Sequence, residues 1–308
     1  MIVDVPSKVF TELQPNDPHP FVSESFIQLN KAKIDRLVRL VNQDKNSLGL
    51  VAGIRNRELL SPFSAPFGGF HYRHEQLYSS EIDHFVSGVI KFCNIHQLTS
   101  INLTLPPDIY HPTLNAKVNS ALLRCGFRMQ TPEITNWVDL SGFQNRFNFR
   151  SSREYYNQSV KNGLSFNIED SNDGRAEIYA IVKENRIRLS RPIHMAFTDL
   201  EKVATLWPVD YFSVKAPDQT LVAGAIFYRA QPAITQAVFW GDSETGRTLR
   251  AMDFLLFNLW AHYKNKNYQY IDLGISTESG IPNEGLLRFK ETHECTSSLR
   301  FSYTLNLS

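Results

Sequence analysis

Apolar positions switch between a period near four and a period of two along the chain, and the switch points mark its elements. Residues 31–42 carry Ile34, Leu37, Val38 and Val41 at helical spacing, which predicts a helix. Residues 48–54 form an apolar run that predicts a strand. Residues 62–70 hold two prolines and two glycines, which predicts an edge strand or a close backbone approach. Ile82, Phe85, Val86, Val89, Ile90 and Cys93 form one stripe of a helix that Ser79 or Ser80 would cap. A strand over 100–105 stops at Pro106-Pro107, a helix over 115–123 ends before Gly126, and 136–140 would close the first half.

The second half predicts a helix over 153–162 ended by Gly163, a strand over 164–169, and helices over 176–189 and 197–206. Three strands follow at 211–216, 221–230 and 234–240, with Pro217-Asp218 and Gln231-Pro232 as turns. A long helix over 248–264 leads to a strand over 268–273, a helix over 283–292 and a final strand over 299–305. Both halves run glycine, loop, helix, strand, helix. This shared order predicts an α/β protein with mixed sheets, built as two tandem domains, 1–145 and 146–308.

Composition narrows the class. Of 308 residues, 42% are hydrophobic and 20% charged, the balance of a folded globular chain. Lys+Arg (32) and Asp+Glu (31) nearly cancel, so no whole-chain field favours nucleic acid, although a local basic groove stays open. Cys93, Cys125 and Cys295 are odd in number and lie far apart, which argues against a disulfide framework or a metal site and for a reducing compartment. Residues 1–6 do not read as a signal peptide, and no apolar run is long enough for a membrane span, so the expectation is a soluble cytoplasmic protein.

Candidate chemistry gathers near the C-terminus. Tyr270-Ile271-Asp272-Leu273-Gly274 reads as a buried strand ending in an acid, and Gly285-Leu286-Leu287-Arg288-Phe289-Lys290 as a helix carrying a cation. Ligands of open α/β sheets collect at such carboxyl ends. Asp272 could hold or deprotonate an amine or cap its own loop; Lys290 could meet a phosphate or an oxyanion or form a structural pair. His293 is a candidate base or a helix-end partner, while Arg288 and Glu291 read as surface charges unless Arg288 meets substrate. Gly246, Arg247 and Thr248 are the phosphate-loop candidate. Tyr228, Trp240 and Asn283 could line a substrate groove, and Gly68 and Gly69 mark a close approach at a second one, followed by the polar run His71, Tyr72, Arg73 and His74.

The order of elements in the second half resembles the GNAT (acyl-CoA N-acyltransferase) fold. The tandem arrangement is similar to the Fem-type aminoacyltransferases that build peptidoglycan cross-bridges, and to CelD-type and other bacterial acyltransferases. Residues 61–70, 221–227, 270–274 and 285–290 carry the likeness, with Phe289-Lys290 matching the family's Phe-Lys pair. The resemblance implies acyl or aminoacyl transfer to an amine by the second domain. It implies acyl-CoA or aminoacyl-tRNA as donor and a cell-envelope, glycan or glycopeptide precursor as acceptor, with no metal. Two departures stand out. Residues 242–249 carry one glycine where the acetyl-CoA enzymes carry a glycine-rich loop, and the 283–292 helix has no tyrosine acid. A non-catalytic module binding a nucleotide sugar or peptide is the competing class.

Overall fold

The computed structural model describes residues 1–44 and 46–307. Its contacts divide the chain into two units that are not contiguous in sequence. The first holds 1–134, 277–281 and 298–308; the second holds 135–276 and 282–297. The two largest blocks meet between 134 and 135, and two later segments return to the first unit.

The first unit is built on an eight-stranded mixed sheet. Strand Leu48–Arg55 pairs antiparallel with Arg36–Asn42 and with Glu58–Ser61, and Glu58–Ser61 pairs parallel with Ser100–Thr104. Residues 36–42 are thus a strand and not the expected helix. Val38, Leu40 and Val41 are all buried, and a strand covered on both faces reads as a continuous apolar run that fits either period. Arg39, within that run, is held by the Glu24 carboxylate through Nε at 2.8 Å. The core joins this sheet to helices Ser79–Ile95 and Pro112–Arg124 through Phe85, Val89, Leu103, Val118 and Leu122. Tyr78, not a serine, precedes the first of these helices, and its N–H donates to the Glu81 side chain.

The second unit is built on a seven-stranded sheet that includes the antiparallel strands Val209–Lys215, Leu221–Gln231 and Ile234–Asp242. Strand Tyr270–Ile275 then pairs parallel with Ile234–Asp242. The expected helix over 248–264 is two helices, Glu244–Thr248 and Ala251–Asn265, broken where Arg250 turns left-handed at φ 61°. The second of these is apolar on most sides, with Leu255, Leu256, Leu259, Trp260 and Tyr263 all buried, because the sheet covers one side and helix Arg150–Lys161 packs on another.

The two sheets exchange strands. Glu133–Asp139, expected to close the first half, lies in the second sheet beside Tyr270–Ile275. The expected final strand is two strands: Thr296–Arg300 joins the second sheet, and Ser302–Asn306 joins the first beside Ser100–Thr104.

Candidate active site

In the second unit, strands Ile234–Asp242 and Tyr270–Ile275 stay in register over only three pairs, the last of them Gln236 with Asp272, and then part. The other neighbour of Ile234–Asp242 slips at the same place. Phe227 pairs with Ala237 and Ile226 with Phe239, so Val238 is a bulge with no register partner on either side. Ala237, Val238, Phe239 and Trp240 are half-buried there. Helix Glu284–Thr292 flanks the gap with half-buried Leu286, Leu287 and Phe289, and the Phe289 ring lies 6.0 Å from that of Trp240. The result is an apolar margin around a stretch of strand that has lost its ladder to Tyr270–Ile275 but keeps the one to Leu221–Gln231 on either side of Val238.

The parting strand is anchored from its far end. Gly274 sits at φ 67°, where a side chain would be strained, and the register with Glu133–Asp139 is irregular between Asp272 and Ile275. This turn frees three successive carbonyls from the ladder. Lys290, 1% exposed, donates to all three: Leu273 O at 2.9 Å, Gly274 O at 2.9 Å and Ile275 O at 3.1 Å. An ammonium has three donors, so none is left over. Burial lowers its pKa to about 8, while Cys295 and Asp272 pull the other way. Asp272 is equally enclosed: one oxygen accepts the Gly274 N–H at 2.8 Å, the other the Gln236 amide at 3.1 Å.

His293, 2% exposed, faces an acceptor with each ring nitrogen. Nδ1 lies 2.6 Å from the Phe289 carbonyl and Nε2 3.0 Å from the Asp253 carboxylate. Both ring nitrogens are thus engaged within the protein and neither is turned to a substrate. Asn283 caps helix Glu284–Thr292 by accepting the Leu286 N–H at 3.2 Å, and Arg288 on the same helix is exposed. Tyr228 is buried, its hydroxyl 3.8 Å from the Met195 sulfur, and burial raises its pKa. Gly68 and Gly69 belong to the first unit, where a Cβ on Gly68 would lie 2.4 Å from Ser61 Oγ, and Gly69 stands at φ 119°.

In the turn expected to grip a diphosphate, four N–H groups are bonded within the turn itself. Ser243 Oγ accepts the Gly246 N–H, Ser243 O the Arg247 N–H, Thr245 O the Leu249 N–H and Arg247 O the Arg250 N–H. Gly246 is buried against strand Leu221–Gln231, so that a Cβ would sit 2.1 Å from the Val222 carbonyl. Thr248 Oγ1 bonds within its own helix, to Glu244 O. Arg247 remains exposed, and an acid, Asp253, stands in the first turn of the following helix. An anion bound by this turn would need the N–H groups that the turn uses on itself. The N–H groups of Gly246, Arg247, Leu249 and Arg250 are therefore not open to the diphosphate of an acyl-CoA.

Three features of this site have no sequence signature: the Val238 bulge, the Gln236 partner of Asp272 and the three carbonyls under Lys290. Asp253 had one, as a lone acid in the run Ala251-Met252-Asp253-Phe254-Leu255-Leu256.

This architecture is a fold of two GNAT-type units in tandem, and solved structures match it end to end. FemX superposes with a TM-score of 0.70 at 10% identity, covering 100% of this chain and 97% of its own. L-PGS from Bacillus licheniformis gives 0.62 at 13% identity, covering 97% and 92%. A tandem GNAT protein from the clavulanic acid biosynthesis pathway gives 0.55 at 9% identity, covering 99% and 98%. No family model and no curated protein matches the sequence. The chain thus has the tandem GNAT fold of these structures. Among the described residues no helix is long and apolar enough to cross a membrane.

Proposed function

We propose that the second unit transfers an acyl or aminoacyl group to an amine at the gap between strands Ile234–Asp242 and Tyr270–Ile275. The carrying observation is the Val238 bulge at the point where those strands part. In this reading the backbone N–H of Val238, which has no register partner, meets the acyl carbonyl, and a fixed peptide dipole aimed at a developing oxyanion stabilises it without reorganising. The amine attacks the carbonyl carbon, forming the carbon–nitrogen bond and a tetrahedral oxyanion that rests on the strand edge; collapse then breaks the bond to the donor's ester oxygen, which leaves as the alcohol with the proton the amine gives up. Leu286, Leu287 and Phe289 keep water off the carbonyl. Lys290 and Asp272 act indirectly, by fixing the turn that opens the gap.

The self-bonded turn at 243–250 favours a donor activated as an ester, with aminoacyl-tRNA the leading example, over acyl-CoA. The acceptor class implied by the Fem-type resemblance is an amine on a cell-envelope or glycan precursor. A second reading is a non-catalytic module for a nucleotide sugar or peptide. It is favoured by the internal engagement of Asp272, Lys290 and His293.

Two measurements separate these readings. Thermal unfolding with millimolar acetyl-CoA or coenzyme A is expected to show no shift, whereas ligand at ~100 times its dissociation constant would add about 2.7 kcal/mol. Radiolabelled aminoacyl-tRNA, supplied with an amine acceptor, is expected to lose its label to the acceptor. A clear stabilisation by coenzyme A that Arg247→Ala abolishes would restore the acyl-CoA reading. Absence of transfer from both ester and thioester donors would leave the binding module.

A further inference from the structure

A groove of the second unit lies away from the strand gap, where helix Arg150–Lys161 packs on helix Ala251–Asn265. It encloses about 510 Å³ and opens to solvent. Its floor is aromatic: Tyr156 stacks on Phe257 with ring centroids 3.8 Å apart and planes 19° apart, and Phe147 meets Phe257 edge-on at 5.6 Å. Tyr156 and Phe257 are only half-buried, so part of the stacked floor faces the groove. Its rim carries three guanidinium groups, Arg146, Arg150 and Arg153.

The three arginines differ in freedom. Arg153 is preset, because Nη1 donates to the carbonyls of Phe147 and Asn148 and this fixes the direction of its remaining N–H groups. Arg150 pairs through Nε with Glu154 one turn on, at 2.7 Å, with both side chains largely exposed. Such an exposed pair is weak and yields readily to a better anion. Arg146 is exposed. The acids nearby are Glu154 and Glu294, and Glu294 is bonded to the backbone and side chain of Asn148. Guanidinium forks match phosphate oxygens two at a time, and a half-exposed ring stack offers a face for a flat group.

We propose that this groove binds an organic phosphate carried on a planar ring, with the ring over Tyr156 and Phe257 and the phosphate between Arg146, Arg150 and Arg153. The combination requires both parts of the ligand: phosphate alone lacks the stacking surface, and a bare ring leaves the arginines to water. The site does not depend on the acyl-transfer reading, since none of these residues belongs to the strand gap.

The test is isothermal titration of the full chain with inorganic phosphate, phenyl phosphate, adenosine and adenosine monophosphate. Phenyl phosphate is expected to bind at least tenfold more tightly than inorganic phosphate, and adenosine not to bind measurably. Tighter binding of adenosine monophosphate than of phenyl phosphate would assign the groove to nucleotides, and the reverse order to aryl phosphates. Both outcomes support the proposal. The double variant Arg146→Ala/Arg150→Ala alters two exposed side chains, and its unchanged melting temperature would show that it folds. It is expected to weaken phenyl phosphate at least tenfold. Absence of binding at millimolar ligand, equal binding of inorganic and phenyl phosphate, or full binding by the folded double variant would overturn the proposal.

Discussion

Replacing Lys290 by methionine discriminates between an anchoring and a reactive lysine. The side chain is 1% exposed and donates to the carbonyls of residues 273, 274 and 275. Hydrogen bonds to a charged group contribute about 1.5–3 kcal/mol each, so three contribute roughly 4–9 kcal/mol before the cost of burying the charge. That cost follows from the pKa, lowered from 10.5 to about 8: at 1.36 kcal/mol per unit it is about 3 kcal/mol near neutral pH. Lys290→Met is therefore expected to lose about 3 kcal/mol at pH 7, read from urea midpoints. The deficit should also grow with pH. Because the folded pKa lies below the unfolded one, the unfolded chain binds the extra proton between about 8 and 10.5, and the wild type gains stability as pH rises through that window. Linkage gives a widening of about 2 kcal/mol between about pH 7.5 and 9.5. An unchanged urea midpoint at pH 7, or a deficit independent of pH, would refute the reasoning and return Lys290 to the candidate reactive groups.

Other predictions follow from single contacts. Gly246→Ala places a Cβ 2.1 Å from the Val222 carbonyl and is expected to cost about 2 kcal/mol or more in chemical unfolding, whereas Gly285→Ala, whose nearest neighbour is 3.8 Å away in a helix, should be neutral or stabilising by up to ~1 kcal/mol. In the first unit, burial lowers the His19 pKa from 6.5 to about 3, with Nε2 3.0 Å from the Gly68 carbonyl. The unfolded chain then binds the extra proton as pH falls below about 6.5, and stability drops by about 2 kcal/mol between about pH 6.5 and 4.5. His19→Gln should flatten that slope in acid unfolding curves, and an unaltered slope would assign the acid sensitivity elsewhere. Pro substitution at Val238 removes an N–H from the strand gap and should abolish acyl transfer while Val238→Ala retains it; equal activities in a transfer assay would move the oxyanion site off this edge.

Most helices and strands of the second unit were legible because each carries one dominant period and ends on a residue with a single conformational use. Gly126 and Gly163, expected to end helices, stand at φ 88° and 71°. The strand at 36–42 was not legible, since Leu37-Val38-Arg39-Leu40-Val41 satisfies the helical spacing while every second residue can also face a covered sheet. The break at Arg250 escaped for the opposite reason: an arginine at φ 61° is held by its surroundings, and no residue type announces it. In the site, chemical identity was legible and role was not. Lys290 was picked out by its neighbour Phe289, yet its role depends on three carbonyls 15 to 17 positions away, whose exposure depends on a left-handed glycine. Asp272 and His293 are the same case, each completed by a side chain distant in sequence, Gln236 or Asp253.

The exchange of strands strengthens the case for duplication that the order of elements suggests. In the first sheet, Ser100–Thr104 runs parallel to Glu58–Ser61, and its other neighbour is the antiparallel Ser302–Asn306, followed by Arg128–Met129. In the second sheet, Tyr270–Ile275 runs parallel to Ile234–Asp242, and its other neighbour is the antiparallel Glu133–Asp139, followed by Thr296–Arg300. The two sheets thus place equivalent strands in equivalent positions, except that each takes its penultimate strand from the end of the other half. Sheets that merely shared a common motif would have no reason to lend each other the same strand. A reciprocal loan is what a duplicated unit gives when two copies swap their last strands. It also explains why Glu133–Asp139 read as the close of the first half, since its pattern is that of a closing strand and only its destination differs. Parallel neighbours need a crossover, whereas an antiparallel strand can be supplied by any segment that reaches its place, so a swap can move this strand while the parallel pair beside it stays within one half.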